Sequence, residues 1–383
     1  MSSFSYTHFC SVATTDYLSR TSVLISSLRR NHPNAELDLL LVDELNFELD
    51  IPYVRVWRLA DIGLSYDSDV FYKYTPFEMS CHFKVVFICY LANFFASNTK
   101  IIYLDSDIFI AAPLNPILTL LDLHSVVITP HLIHSSTSAI NSTETNLLRD
   151  GACNAGFIAI RSDVNSIAFL NWWKSKTESF CWDFRELGFF VDQKWLDTAR
   201  VFFRIYVCTD ETLNVAYWNI AERRVVYKDD CYFIRDSKMV FFHFSGFIPS
   251  GKSPRLSRYF ANESLINLDL QKLIHEYNQA IISSVFYRNC SFDVIQKGHL
   301  LSSFNYTVSI RRLYARYLLN ANQQQPVKAT LLLFEKEKSL IIFFLYYFDI
   351  ISQYLSRKNT LTARIFRKLQ HDIHFVILRR FLQ

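Results

Sequence analysis

The stretch Ile101-Ile-Tyr-Leu-Asp105-Ser-Asp107-Ile-Phe109 decides how this chain is read. Lys100–Leu104 is a short apolar run, which predicts a central strand buried on both faces. Two carboxylates, one residue apart, stand at its end. On a regular strand alternate residues face the same way, so both oxygens can converge on one point. Two close anions in a poorly hydrated place repel each other unless a cation joins them. A hard divalent ion that also grips a diphosphate fits, because Mg2+ and Mn2+ prefer oxygen ligands and phosphate oxygens complete the shell. An Asp-rich strand-end turn with ordinary capping is the plainer alternative.

Outward from this point the chain alternates. Tyr6–Ala13 reads as a strand, and Asp16–Arg30 as a helix with Leu18, Val23, Leu24 and Leu28 at helical spacing, ending near Pro33. Leu37–Val42 is a second apolar strand, and Glu78–Phe95 is helical. Val126–Thr129, Phe157–Ile160 and Val240–His243 read as further strands. Strands alternating with helices predict an α/β domain with a mostly parallel sheet covered on both faces. Ligands on such sheets sit beyond the carboxyl ends of the strands.

A second group of polar residues follows the last of these strands. In His243-Phe-Ser-Gly246, with Lys252 six residues after the glycine, a neutral imidazole can complete a carboxylate metal site. Gly246 lets backbone N–H groups approach a phosphate, and Lys252 neutralises it. Asn154-Ala-Gly156-Phe and Asp192-Gln193 add polar groups to apolar surroundings. Trp172-Trp173 reads as core or cleft wall. His131 and His134, three apart, have no third ligand nearby in sequence, and Arg223-Arg224 and Arg311-Arg312 read as solvated faces.

Composition narrows the function classes. With 50% apolar and 16% aromatic residues in 383, the chain can bury a large core and is not disordered. A net charge of +4 is too balanced for a protein that lives on nucleic-acid phosphates. No apolar run reaches the roughly 18–20 residues of a bilayer span. The N-terminal Met-Ser-Ser-Phe-Ser-Tyr-Thr-His lacks a basic n-region and a signal core, and the 8 cysteines form no Cys-x-x-Cys pair. Together these predict a cytosolic protein with reduced, mostly buried thiols.

Four of these motifs, taken in order, resemble a known family. Tyr-Leu-Asp105-Ser-Asp107, Asn154-Ala-Gly156-Phe, Asp192-Gln193-Lys-Trp-Leu and His243-Phe-Ser-Gly246 resemble the nucleotide-sugar glycosyltransferases of the GT-A fold. The greatest similarity is to family 8, the glycogenin-like and lipopolysaccharide galactosyltransferase-like group. Thr75-Pro-Phe-Glu78, Lys84, Ile128-Thr-Pro-His131, Asn171-Trp-Trp173 and Asn214-Val-Ala-Tyr-Trp218-Asn219 resemble a bacterial subgroup of it. The resemblance covers roughly residues 6–260, with a weaker trace to about 316.

The resemblance implies roles residue by residue. Asp105 and Asp107, with Ser106 between them, would bind Mn2+ or Mg2+ on the donor diphosphate, with His243 as third ligand. The main chain near Ala13 and Thr14 would hold uracil, and Tyr17 would stack on it. Lys84 would contact donor sugar or phosphate, and Asn154 and Gly156 would line the sugar and acceptor side. Asp192 and Gln193 would hold sugar hydroxyls or sit at the reacting face, so Asp192, Gln193 and Asn154 are the catalytic candidates. Gly246 and Lys252 would grip the diphosphate. The usual Lys-Pro-Trp after the His/Gly motif is replaced by Ile-Pro-Ser-Gly-Lys252, which makes Lys252 a weaker match than His243. The implied activity is metal-dependent transfer of a hexose-type sugar from a UDP-sugar to a glycan, glycolipid or protein acceptor, with retention of configuration.

The remainder of the chain has a different character. From Arg311 onward there are 13 Lys/Arg against 4 Asp/Glu, a net of +9, whereas residues 1–310 carry a net of −5. Gln323–Pro326 reads as a linker. Thr360–Leu382 spaces Leu361, Ile365, Leu369, Ile373 and Val376 as a helix would, with its arginines mostly on other faces, and such a helix can lie on an anionic lipid surface. Packing on the catalytic domain is the alternative. The expected organisation is a GT-A catalytic domain over 1–260 and a helical, basic extension over 261–383, acting in the cytoplasm or on the inner face of the cell membrane. Two rivals stand beside this. A haloacid-dehalogenase-type phosphatase also ends a strand in Asp-x-Asp, but wants Thr or Val where Phe109 stands and has no use for His243. The other rival is a non-catalytic membrane-surface protein on the same fold.

Overall fold

The computed structural model describes residues 7–43, 49–65, 70, 73–135 and 142–289. The basic tail and its amphipathic segment lie outside the described residues. The chain divides into two units, Met1–Ser65 with Pro76–Leu300, and Tyr66–Thr75 with Leu301–Gln383. All that follows concerns the first.

Its elements are, in order, β1 (Thr7–Ala13), α1 (Leu18–Asn31), β2 (Leu37–Leu41), β3 (Val54–Trp57), α2 (Pro76–Phe94), β4 (Lys100–Leu104), β5 (Ile108–Ile110), α3 (Asn115–Leu123) and β6 (Val126–Pro130). Next come α4 (Ser142–Asp150), β7 (Cys153–Arg161), α5 (Val164–Phe180), β8 (Asp183–Phe184), β9 (Phe189–Phe190), α6 (Trp195–Phe202), β10 (Tyr206–Val207) and β11 (Val215–Ala216). The described part closes with β12 (Val225–Lys228), β13 (Cys231–Ile234), β14 (Ser237–Lys238), β15 (Phe241–His243), α7 (Leu268–Ile282) and α8 (Val285–Asn289).

The fold is mixed α/β, as the alternation predicts. Seven strands form one sheet in the order β10-β6-β7-β4-β1-β2-β3. Within this sheet only β7 runs antiparallel to its neighbours, β4 and β6. β4 is buried along its whole length. Its alternate side chains divide between two layers, since Ile102 and Leu104 join a core with Leu24, Ile25 and Leu28 of α1 and Ile117 and Leu121 of α3. On the other face Tyr103 meets Lys84 of α2, whose Nζ lies 5.3 Å from the ring centroid. The sheet is thus covered on both faces, and each fully buried Leu or Ile contributes about 1.5–3 kcal/mol of hydrophobic stabilisation.

A second sheet, β11-β15-β5, stands at the carboxyl end of β4. Its core joins Phe109, Val215 and Phe242 to Leu273, Tyr277 and Ile281 of α7. Helix α5 begins at a capping box, where Asp163 accepts from the backbone of Asn165 and Ser166. Cys10, Cys81, Cys89, Cys153, Cys181 and Cys208 are buried free thiols. No helix among the described residues is long and apolar enough to cross a membrane.

Candidate metal and donor site

Asp105 and Asp107 bracket the point where the chain leaves the large sheet for the small one. The Asp105 N–H donates to the Gly156 carbonyl at 2.8 Å, and the Ile108 N–H returns to the Asp105 carbonyl at 3.0 Å. β5 then pairs with β15 in a register that sets Ile108 opposite His243, and the Phe244 N–H donates to the Asp107 carbonyl at 2.9 Å. Strand alternation is therefore not what gathers the two carboxylates. A turn and a change of sheet do so, and the same pairing delivers His243.

The three side chains meet. His243 Nε2 lies 3.1 Å from Asp107 Oδ1 and 3.7 Å from Asp105 Oδ2. One ligand atom from each falls within 4.8 Å of the others. Gly156 is what allows the approach. A Cβ there would stand 2.3 Å from His243 Cε1 and 2.8 Å from Asp105 Oδ2, so only a residue without one fits.

The imidazole is oriented from behind. Asn214 Oδ1 lies 3.2 Å from His243 Nδ1, while Asn214 Nδ2 donates to Thr129 Oγ1 at 2.8 Å and Asn154 Oδ1 at 3.1 Å. With its amide group so committed, the Asn214 oxygen must accept, so Nδ1 carries a proton and Nε2 faces the carboxylates. Asn214 is fully buried and holds φ at 54°, a left-handed backbone that costs about 1–3 kcal/mol and persists only when its surroundings enforce it. Burial works against a charged His243, but the Asp107 and Asp105 carboxylates outweigh it and raise its pKa above the ordinary 6.5. For Asp107, burial pushes upward, and His243 and Arg20 overcome it to hold the carboxyl low. An Nε2 lone pair and two carboxylates on one small space suit a divalent cation, and a proton on Nε2 is the alternative occupant.

A buried cation borders the cluster. Lys84 Nζ lies 3.1 Å from Asp192 Oδ2, 3.5 Å from Asp105 Oδ1 and 3.1 Å from the Ala155 carbonyl. Tyr103 donates its hydroxyl to Asp105 Oδ1 at 2.7 Å. Burial raises the Asp192 carboxyl, Lys84 draws it back, and Asp105 adds to the rise. Asp192 follows Val191, whose φ of 40° is an unusual conformation for a β-branched residue, and Trp173 Nε1 donates to the Asp192 carbonyl at 2.9 Å. Trp173 is thus core, as expected, and it also fixes Asp192.

Asn154 and Gln193 are clamped to each other. Asn154 Nδ2 and the Ala155 N–H both donate to Gln193 Oε1, at 3.1 and 3.2 Å, and Gln193 Nε2 donates to the Asp150 carbonyl at 2.8 Å. His131 Nε2 lies 3.4 Å from Asn154 Nδ2, and burial lowers the His131 pKa to about 4. Arg223 corrects an expectation. Instead of a solvated face it is buried, donating to the Leu213 carbonyl at 2.7 Å and pairing with Glu222, and so it braces the residue before Asn214. Only its neighbour Arg224 is exposed.

The nucleotide-side candidates lie on the loop after β1. The Ala13 carbonyl accepts from Val42, Thr14 bonds to Asp16, and the Tyr17 N–H closes a turn onto the Thr14 carbonyl at 3.0 Å. Burial and the Asp107 charge push the Tyr17 phenol up to about 12, with Arg20 and Arg258 opposing. One Tyr17 face is occupied, since the Arg20 guanidinium sits 4.5 Å from the ring centroid. Ser106 is buried in the turn. Gly246 has a φ of 70°, and a Cβ there would meet Ser257 and Tyr259 at 2.8 and 2.9 Å, so the turn itself requires glycine. Lys252 is exposed and forms no ion pair among the described residues. Sequence reading passes over Arg20 and Tyr103. Tyr103 stands inside the Asp105–Asp107 motif with no role read for it, two residues before the carboxylate it meets, whereas nothing in the spacing of Arg20 marks it.

No protein-family model matches the chain. It is similar to two proteins of Bacillus subtilis (strain 168). These are the uncharacterized protein YfnF, 26% identical over 43% of this chain and 55% of that protein, and the uncharacterized protein YfnD, 22% identical over 63% and 78%. The match thus spans about half the length of the first. Among solved structures it is similar to the galactosyltransferase LgtC in complex with donor and acceptor sugar analogs, at 13% identity, TM-score 0.44, and 74% and 99% of the two chains. It is also similar to the glycosyltransferase GlyE of Streptococcus pneumoniae TIGR4, at 16% identity, TM-score 0.40, and 74% and 65%. Both of these structural neighbours are described as glycosyltransferases.

Proposed function

We propose that the protein is a metal-dependent glycosyltransferase that moves a hexose-type sugar from a UDP-sugar to a glycan or lipid-linked acceptor, with retention of configuration. The observation that carries this is the convergence of Asp105, Asp107 and His243 from two sheets onto one point, with Tyr17 and Lys84 beside it. Asp105, Asp107 and His243 Nε2 would hold Mn2+ or Mg2+. When bound, such an ion supplies positive charge against the departing nucleoside diphosphate. Tyr17 would stack on uracil, beside the main chain of Ala13 and Thr14. Lys84 would meet the donor sugar or phosphate. The Asp192 carboxylate, paired with Lys84 while Trp173 holds its main-chain carbonyl, would face the transferring sugar, with Asn154 and Gln193 fixing the wall behind it. Ser106, Gly156 and Gly246 would give the donor close approach to the backbone, and Lys252 would lie on the diphosphate side.

The acceptor would be a lipopolysaccharide or capsule-type glycan, approached from the cytoplasmic face of the membrane, with a protein acceptor second. The basic tail from about 327 would hold the enzyme there, each Lys or Arg near an anionic surface contributing about 1 kcal/mol. Flotation with anionic liposomes at low salt, lost on truncation after Pro326, is the expected result. A full-length protein that ignores such liposomes would contradict the membrane role alone. The activity is tested with a panel of UDP-sugars and Mn2+, reading UDP release. Release should require the metal, and undiminished release in excess chelator would overturn the proposal.

A further inference from the structure

We propose that Arg20, assisted by Arg258, is the principal clamp for the diphosphate of a bound nucleotide, in the position that Lys252 was expected to fill. This rests on the donor-site proposal above and adds a ligand-binding residue to it.

Charge sets the need. Asp105, Asp107 and Asp192 bring three negative charges, which Lys84 and one divalent ion balance when His243 binds as a neutral ligand. A nucleotide diphosphate arriving at that neutral cluster carries at least two more. Buried or half-buried anions require partners of opposite charge, and phosphate oxygens are best met by the fork of a guanidinium. Lys84 already divides its charge between Asp105 and Asp192, so it does not neutralise a diphosphate alone.

Arg20 stands where a partner is missing. It projects from the first turn of α1, three residues after Tyr17. Its guanidinium lies over the Tyr17 ring, and Nη2 donates to the Phe247 carbonyl at 3.2 Å, directly after the Gly246 turn. It therefore joins the Tyr17 segment to the His243–Gly246 segment. Among the described residues Arg20 forms no ion pair, although a guanidinium carries five N–H donors. Arg258 flanks the same turn, its backbone N–H donating to the Gly246 carbonyl at 2.8 Å, and its charge opposes the rise of the Tyr17 phenol.

A second observation marks the place as incomplete. The Tyr277 hydroxyl is fully buried and has no hydrogen-bond partner among the described residues, and its ring packs 5.1 Å from that of Phe247, whose carbonyl accepts from Arg20. The rest of that ring is satisfied, stacked on Phe244 at 3.8 Å. Native interiors seldom leave such a group unpaired.

Calorimetric titrations with Mn2+ present test this, using UDP, uridine and inorganic pyrophosphate on wild type, Arg20→Ala, Arg20→Lys, Arg258→Ala and Lys252→Ala. Arg20→Ala should weaken UDP and pyrophosphate roughly tenfold or more, while uridine stays within about twofold. Arg20→Lys should recover part of the loss, and Arg258→Ala should cost less than Arg20→Ala. Mn2+ affinity, read by electron paramagnetic resonance, and thermal stability should hold in each variant. Unchanged UDP binding by Arg20→Ala, an equal loss for uridine, or a larger loss from Lys252→Ala would overturn the assignment. A wild type that binds neither UDP nor uridine would instead remove the donor site itself.

Discussion

The Nδ1 atom of His243 lies 3.2 Å from Oδ1 of Asn214, and that contact decides which ring nitrogen faces Asp105 and Asp107. An outer partner of this kind fixes the tautomer and orientation of a ligating imidazole, and its loss typically costs 10–100-fold in metal affinity. Asn214→Ala should therefore weaken Mn2+ by roughly ten- to a hundredfold. Electron paramagnetic resonance would measure the affinity, and nitrogen chemical shifts of His243 should show mixed tautomers. An Asn214→Ala protein with wild-type Mn2+ affinity would leave the residue a purely structural part of the fold.

Gly156 makes a sharper case, because its effect is steric. A methyl group there would overlap the His243 ring, so Gly156→Ala should abolish Mn2+ binding and destabilise the fold by about 1–3 kcal/mol, the usual cost of overpacking. Urea unfolding and Mn2+ titration measure the two effects separately. Wild-type values for both would mean that His243 does not sit against Gly156.

A divalent ion and a proton would compete for His243 Nε2. The raised His243 pKa gives stability that is full below the unfolded value and lost as pH rises through the folded one. The lowered Asp107 pKa gives stability present above its unfolded value and lost as pH falls through the folded one. Metal-free protein should thus be most stable between the carboxylate range and the raised His243 pKa. Mn2+ affinity should climb with pH through that upper limit. Melting temperatures in chelator, and Mn2+ titrations at several pH values, check both limbs; His243→Gln should remove the upper one.

Among the described residues, Lys84 is the one cation that pairs with both Asp105 and Asp192. Removing one partner of a buried pair leaves an uncompensated charge, so Lys84→Met should cost about 3–5 kcal/mol in urea unfolding. Adding Asp192→Asn should restore part of that stability without restoring UDP binding. A Lys84→Met protein as stable as wild type would show that the pair is solvated.

The strands and helices that position the site were legible because their apolar spacing is regular. β4 is continuous and buried, and α1 buries Leu18, Val23, Leu24 and Leu28, the positions that its helical spacing singles out. The convergence of Asp105, Asp107 and His243 followed from the resemblance of short motifs, but its cause did not, since a change of sheet leaves no periodic trace. Arg223 looked like surface because a charged pair in a polar stretch usually is, and only the need of the Leu213 carbonyl for a donor explains its burial. Arg20 and Asn214 gain their importance from neighbours more than two hundred and almost thirty residues away, respectively. Distances of that kind are set by topology.

The proposed activity requires that Asp105, Asp107 and His243 hold one divalent ion on which donor binding depends. Calorimetric titration of UDP into wild type and into Asp107→Ala, each with Mn2+ and with excess chelator, tests it most directly. Wild type should bind UDP with Mn2+ and not in chelator, and Asp107→Ala should bind poorly in both. Equal UDP binding by wild type with and without the metal, or by Asp107→Ala and wild type with it, would mean that these three residues hold no ion on which the donor depends.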